Sequence, residues 1–328
     1  MAIIRNRSEI LFLYDAKRCN PNGDPLDANR PRIDEESGRC LVTDVRLKRT
    51  IRDYLLENGY NGEAGSKGDI FIREINGKPM TGTERAKVYA NRDEYLSKFI
   101  DVRLFGGVSA PKATPKAVGS KKSKGKPSAN DSFSEEGPEG ETANTDEPGD
   151  ANKTFHFTGP VQFSMGRSLN RVRENFIKGT GAFTTREEST QKTFREEYNI
   201  TYGLIAFHGI INEVAAKYVR ATEEDITMLL DGLWSGTKNL LTRSKKGHMP
   251  RLLIKIDYKG GFFIGDLVER LRLIPIGSKQ EEAFEDIEDF TVDTSKLITA
   301  LAEYTDKIER ITVIQDDRIS LSEPIPIK

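Results

Sequence analysis

At 328 residues the chain is long enough to bury a substantial core, as one large domain or two ordinary ones. Its 50 basic and 51 acidic side chains leave it close to neutral, which excludes a protein that holds nucleic acid through bulk positive charge. Two cysteines, Cys19 and Cys40, are too few for a disulfide framework or a zinc site, and the three histidines are scattered. With no apolar leader and no long apolar span, a cytoplasmic protein without membrane contact, metal or cofactor is expected.

In chain order, residues 9 to 16 alternate Ile10, Phe12 and Tyr14 and predict a strand. A turn-dense loop follows, NPNGDPLDANRPRID at 20 to 34, and TDVRLKRTIRDYL at 43 to 55 then predicts a helix over 44 to 57 with Asp44 as N-cap. Leu47, Ile51, Tyr54 and Leu55 would form its buried stripe, leaving Lys48, Arg49 and Arg52 on the outer face. Residues 39 to 52 carry five cations against Asp44 alone, so this is one local cluster.

From about 109 to 153 the sequence is low in complexity, lysine-rich at first and acidic later, with almost nothing apolar to bury, and it reads as a disordered loop inside the fold. Its six lysines between 112 and 126 either touch nucleic acid or belong to a solvated, charge-balanced insertion. Residues 160 to 167 alternate Val161, Phe163 and Met165 and predict a second strand, and 202 to 211 a third. Thr222 and Asp225 form a capping-box pattern opening a helix with Ile226, Leu229, Leu230, Leu233 and Trp234 on its buried face. Residues 251 to 258 return as a strand. Strand, helix, strand, strand, helix, strand is the ferredoxin-like order, so the predicted class is α+β, an RRM-like βαββαβ core with large insertions.

Residues 238 to 255 make a second basic cluster of six cations without an acid, including Arg243, Lys245, Lys246 and Arg251 around His248. It is either a nucleic-acid contact or a solvated loop. Chemistry is hard to find. Asp24, Asp27 and Asp34 match no metal motif, and such side chains in turns bond their own backbone. No Walker loop or nucleophile motif occurs. His208 lies in an apolar alternation and reads as a satisfied sheet histidine. The Lys-Gly-Gly-Phe-Phe run at 259 to 263 reads as a hairpin turn rather than an RNP aromatic motif. No residue is assigned as catalytic.

NPNGDP, RPRID and TDVRLKR together resemble the amino-terminal signature of the Cascade backbone subunits, the Cas-seven proteins of type I CRISPR systems, with the I-B and I-C branches most similar. FIDVRLFGG at 99 to 107, TGPVQFSMGRSL at 158 to 169, YGLIAFHGIIN at 202 to 212 and TEEDITMLLDGLW at 222 to 234 extend the resemblance over most of residues 8 to 258. The family passes from the FGG segment to the GPVQ segment by a shorter loop, so this chain departs there.

The resemblance implies a crRNA-binding subunit that forms a head-to-tail helical oligomer along the guide, presents it to target DNA, and contacts other Cascade subunits. It implies a palm at 1–58, 155–170 and 200–258, fingers at 59–154, a thumb hairpin at 171–200, and a C-terminal extension, 259–328, packed on the palm. Thr43, Lys48 and Arg52 fall where the family contacts guide phosphate and sugar, with Arg49 beside them. Asn20, Asn22, Arg30 and Arg32 are second candidates. Phe176, Lys178, Phe183 and Thr184 of the thumb either displace a nucleotide or anchor the hairpin to a neighbour. Met165 is either an edge of the RNA groove or core, and Arg167 is exposed only if the strand bends at Gly166. The basic run TRSKKGHMP at 242 to 250, with Arg243, Lys245 and Lys246, resembles a family pattern near nucleic acid. Two other functions stay open: an aspartate-dependent RNase of the type III kind, and a stand-alone RNA-binding module.

Overall fold

The computed structural model describes residues 2–75, 77–79, 85, 92–109, 155–180 and 194–328. Nearly all of the low-complexity stretch, and Phe183 and Thr184, lie outside them. One antiparallel sheet is built from β1 (Ser8–Cys19), β2 (Arg39–Val42), β3 (Val161–Phe163), β4 (Gly166–Arg171), β5 (Glu174–Thr180), β6 (Phe194–Ile211), β7 (His248–Tyr258) and β8 (Ile308–Gln315). Across it the order is β8, β7, β1, β6, β4, β2, and β3 and β5 pair with opposite ends of the long β6.

Both faces of this sheet are covered. Ile10, Phe12 and Tyr14 of β1 and Ile205 and Phe207 of β6 meet the apolar stripes of α1 (Asp44–Glu57) and a second long helix over Glu223–Lys238. Leu11, Leu13, Leu204, Leu252 and Ile254 point the other way, into a separate cluster with Leu267, Phe284, Phe290, Leu297 and Leu301 of the C-terminal segment. Strands buried on both sides need apolar residues at both parities, which is why β1 reads ILFLY rather than alternating with polar residues.

The helices are numbered α1, α2 (Arg92–Lys98), α3 (Ile100–Phe105), α4 (Glu213–Val219), α5 (Glu223–Lys238) and α6 (Ser295–Glu303). α5 opens on the expected capping box, Thr222 with Asp225. α1 opens one residue earlier than expected: Thr43, not Asp44, is the N-cap, its side chain accepting from the Arg46 amide. Where α5 crosses α1, a Cβ on Gly232 would stand 3.0 Å from the Ile51 side chain and one on Gly236 3.0 Å from Tyr54, so glycine sets the helix spacing.

The segment predicted as one strand over 160 to 167 is broken. Phe163 faces Gly209 and Arg167 faces Ala206, four steps along one strand against three along its partner, which is a one-residue bulge. Gly166 lies against the Phe207 ring, where a Cβ would come within 2.3 Å of it. The bulge resets the alternation, so Met165 is 56% exposed rather than core. Short strands at Gly106–Ser109 and Phe155–Thr158 pair with each other and hold the two ends of the insertion together.

The FIDVRLFGG segment ties these parts together. Buried Asp101 accepts from Arg52 Nε at 2.9 Å and from the Phe71 and Ile72 amides. Arg103 makes a bidentate pair with Asp225 at 2.9 and 2.7 Å. Arg52 is therefore not on the outer face: it is 8% exposed, its guanidinium 5.2 Å from the Phe105 ring centre. Arg52 is one turn beyond Lys48 on the same helix face, and that face is turned toward α3, where both side chains lie over the Phe105 ring.

Asp101→Ala should leave that guanidinium buried and unpaired and destabilise the protein by about 3–5 kcal/mol in urea unfolding. The apolar pair Asp101→Leu with Arg52→Met should restore most of the loss. Equal destabilisation by the single and double changes would show that the ion pair is not what the fold depends on here.

Candidate nucleic-acid interface

The loop after β1, the first turn of α1 and the 242–248 turn meet at one edge of the sheet. Asn22 Oδ1 accepts from both the amide and the hydroxyl of Thr43, at 3.0 and 2.9 Å, and so fixes the N-cap. Asn20 donates its amide to the Ser244 carbonyl at 3.0 Å, and Lys245 Nζ donates to the Asn20 carbonyl. Lys17 donates its amide to the Gly247 carbonyl at 3.1 Å. A Cβ on Gly247 would stand 2.2 Å from the Lys17 carbonyl oxygen, so only glycine lets the basic turn lie on the end of β1.

This edge collects polar atoms without partners. Of five buried side-chain nitrogen or oxygen atoms lacking a hydrogen bond among the described residues, four are here: Asn20 Oδ1, Arg32 Nε, Arg46 Nε and His248 Nε2. Buried polar groups are normally satisfied, so this concentration sets the edge apart from the rest of the described residues. Burial, reinforced by Lys245 and Arg46, drives the His248 imidazole well below its ordinary range and keeps it neutral. Burial and then the Arg46 charge lower Lys245 to about 8. Burial lowers Arg46 as well.

Most of the other expected cations are already partnered. Lys48 pairs with Asp44 at 2.9 Å and is half-buried, and Arg49 pairs with Asp53 at 2.7 Å on the surface. Arg32 pairs with Asp24 at 3.0 Å. Arg30 makes two hydrogen bonds to Glu174, at 3.0 and 2.5 Å, and lies 5.3 Å from the Tyr198 ring centre. Arg243 pairs with Glu197 at 3.1 Å, and Lys178 Nζ is 3.9 Å from Glu196. Arg251, part of the basic cluster in sequence, is buried instead between Asp15 and Asp316, because its strand position turns it into the core. Lys246 is exposed.

β5 and the start of β6 form a hairpin whose base is held by the Arg30 and Arg243 pairs. Phe176, 45% exposed, packs on Tyr198 with ring centres 4.8 Å apart. Met165 is exposed at the bulge, and neighbouring Arg167 is exposed and pairs with Glu269. Phe183 and Thr184 fall outside the described residues.

Asp24 and Asp34 accept from the Leu26 and Ser37 amides at 3.0 and 3.1 Å, the turn-stabilising role their sequence context suggested. Among the described residues no group of three or more His, Cys, Asp or Glu side chains is placed to hold a metal ion. His208 is satisfied by buried Glu9 at 2.8 Å. Both cysteines are free and buried. No helix among the described residues is long and apolar enough to cross a membrane.

Sequence reasoning passed over Arg46, although a signal exists. Lys48 and Arg49 each have an acid four residues away, whereas Arg46 has Val42 and Thr50 at those positions and so no local counter-ion.

The model of the family described as CRISPR-associated protein Cas7 matches residues 6–136 and 139–295. Over 335 aligned residues the chain is 31% identical to the CRISPR-associated protein Cas7 of Haloferax volcanii, covering 96% of this chain and 88% of that one. The chain belongs to the Cas7 family of CRISPR-associated proteins. Among solved structures it is similar to a chain of a CRISPR RNA-guided surveillance complex, with 12% identity, a TM-score of 0.39 and coverage of 79% and 76%. A pre-nicking form of such a complex contains a chain at 10% identity and a TM-score of 0.47, covering 98% and 97%.

Because Asn22 and Thr43 share one set of hydrogen bonds, Thr43→Ala should cost about 1–2 kcal/mol in urea unfolding and Asn22→Ala a similar amount. The double variant should cost clearly less than the sum, since the two changes remove the same cap. Additive losses would show the cap is not built by the pair.

Proposed function

We propose that this protein is the repeating backbone subunit that coats guide RNA in a type I CRISPR surveillance complex, closest to the I-B branch with I-C similarity. It binds crRNA and does not cut. The observation that carries this is the gathering at one sheet edge of the loop after β1, the first turn of α1 and the basic 242–248 turn, with Arg32 Nε and Arg46 Nε left without acceptors, in a chain whose total charge is near neutral. A surface that lacks its anion is suited to phosphate, and phosphate contact is independent of base sequence, as a subunit serving arbitrary guides requires. Sequence would be read by pairing between guide and target DNA.

The sheet order supports a ferredoxin-like, RRM-like palm: β7, β1, β6, β4 are adjacent in that order and antiparallel, with α1 following β1 and α5 following β6. Its open face, where RRM proteins stack bases, is buried here under the C-terminal segment, so RNA is left the loop edge. In this reading residues 59–154 are the fingers and 171–200 the thumb, and the subunits assemble head to tail beside other Cascade proteins in the cytoplasm. Asn20, Asn22, Arg32, Thr43, Lys48, Arg49, Lys245 and Lys246 remain the palm contacts, with Arg46 added. Arg52 is withdrawn as an RNA contact and assigned to the Asp101 pair. Met165, Arg167, Phe176 and Lys178 line the approach from the bulge and hairpin, and Phe183 and Thr184 belong to the proposed thumb. The RNase reading is weaker because Asp24 and Asp34 are committed to turns, and Asp24 also to Arg32.

Mixed with RNA of arbitrary sequence, the protein should form large species in sedimentation and protect the RNA at regular intervals, and with magnesium it should leave labelled complementary RNA intact. Cleavage would favour the RNase reading; binding without multimers would favour the lone module. Shortening residues 176–195 to a glycine turn should abolish multimers but not binding of short RNA. Glu174→Gln with Glu197→Gln removes the carboxylate partner of Arg243 and the nearer one of Arg30, which keeps only Asp27 at 3.7 Å, so RNA affinity at low salt should rise severalfold and its salt dependence steepen by up to about two counter-ions. Unchanged affinity would show that those arginines do not meet RNA.

A further inference from the structure

We propose that Arg18 and Arg173 build a second backbone-phosphate site, in a cavity at the base of the β5–β6 hairpin on the face turned away from Phe176 and Tyr198. Taking the anion to be a nucleic-acid phosphate rests on the RNA-coating reading, but none of these residues belongs to the sheet-edge contacts named above. The register sets the face. Phe176 is opposite Tyr198 and Asn175 opposite Asn199, so alternation puts the aromatic pair on one face of the hairpin and the two asparagines on the other. Arg18 reaches the same place from β1. Its neighbours Lys17 and Cys19 pair with Tyr202 and Ile200 of β6, while Arg18 itself takes a left-handed φ of +50°, a strained conformation for a residue with a side chain. Arg18, Arg173, Asn199 and Thr201 line a cavity of about 270 Å³ in which Glu285 of the C-terminal segment is the single acid.

The cavity is rich in donors. Arg173 Nε and Asn175 Nδ2 both donate to Thr201 Oγ1, at 3.3 and 2.9 Å, so the Thr201 hydroxyl proton is left to be donated elsewhere. Asn175 Nδ2 also donates to Asn199 Oδ1 at 3.2 Å, which leaves Asn199 its amide hydrogens. Asn199 and Thr201 are each 4% exposed, so they are fixed parts of the wall rather than surface side chains. Among the described residues neither Arg18 nor Arg173 has a carboxylate partner, whereas the acids beside Glu285 are taken, Asp286 by Lys17 and Arg318 and Asp289 by Lys279.

Two guanidiniums, a hydroxyl and an amide around one space call for a negatively charged ligand rich in acceptors. A carboxylate is matched by a single guanidinium fork. A phosphodiester, with acceptors on phosphorus and on the adjoining sugar, engages donors spread over β1, β6 and the link between β4 and β5.

Guide and paired target strand carry the same phosphodiester, so the test has two arms: the full chain titrated with single-stranded RNA of arbitrary sequence, and with the same RNA annealed to complementary DNA, each over a salt series. Arg18→Asn, which accepts a left-handed φ, combined with Arg173→Gln should lower affinity about tenfold and flatten the salt dependence by about one counter-ion. A loss in the first arm assigns the guide phosphate; a loss confined to the hybrid assigns the paired strand. Lys217→Gln, which removes an exposed cation from α4, should leave both arms unchanged. Glu285→Gln removes the acid of the cavity without touching either arginine, so it should raise affinity severalfold in the same arm, and it decides the matter if the double variant does not fold. Wild-type affinity and salt slope in these cavity variants would overturn the site while leaving RNA binding in place; loss of multimers alone would overturn it too, giving the arginines to a carboxylate of a second copy. No binding by the wild-type chain in either arm would instead overturn the RNA-coating reading, and the site with it.

Discussion

The interaction on which most of this fold depends is the buried carboxylate of Asp101. It takes the Arg52 guanidinium from α1 and the amides of Phe71 and Ile72, while Arg103, two residues on, takes Asp225 at the head of α5. One short helix therefore fixes the positions of both helices that cover the sheet. Because each ion is buried and each is partnered, the arrangement is tolerant only of paired change: removing one member leaves a charge that water cannot reach. The first turn of α1 is held at its other end by Asn22 and Thr43, so the helix is located twice, once by a cap and once by an ion pair. Arg46 is on that first turn, so its place follows from both.

Most cations at the candidate interface are already matched with acids. Outer cations have local acids: Arg49 has Asp53, Arg32 has Asp24, and Arg30 and Arg243 have Glu174 and Glu197 on the hairpin. Exposed pairs of this type contribute little to stability and open readily, so an incoming phosphate exchanges with a carboxylate at modest cost. Among the described residues Arg46 and Lys245 have none. A protein that must hold any guide but not every polyanion is served by such an arrangement, in which the outer charges are already neutralised and the strong attraction is reserved for a strand that reaches the inner pair.

Much of this was legible in the amino-acid sequence. The capping box of Thr222 and Asp225, the α1 stripe and the strand at 202 to 211 rest on local periodicity, which the folded chain obeys. What failed to show was long-range. Arg52 looks like its neighbours Lys48 and Arg49 on a helical wheel, and only the arrival of Asp101, 49 residues later, makes it interior. Residues 160 to 167 read as one strand with Met165 either core or groove edge, and only the bulge beside the Phe207 ring of β6 breaks the strand and leaves Met165 exposed. Arg251 sits in a basic run, yet Asp15 and Asp316 from two other strands or their ends draw it inside. Each miss is a partner distant in sequence overriding a correct local pattern.

The covering of both sheet faces has a last consequence for how a strand is held. A ferredoxin-like sheet with a free face offers aromatic rings on which bases stack, and stacking favours some bases over others. Here Leu11, Leu13, Leu204 and Ile254 are buried beneath the C-terminal segment, and the polar atoms without partners are gathered at the edge where β1, α1 and the 242–248 turn meet. The groups at that edge are guanidinium, ammonium and amide, of the kind that suits phosphate and ribose rather than base edges. Burying the second face adds a second apolar core to a long sheet, and in the proposed function it leaves nucleic acid an edge where its sequence would not be read by the protein.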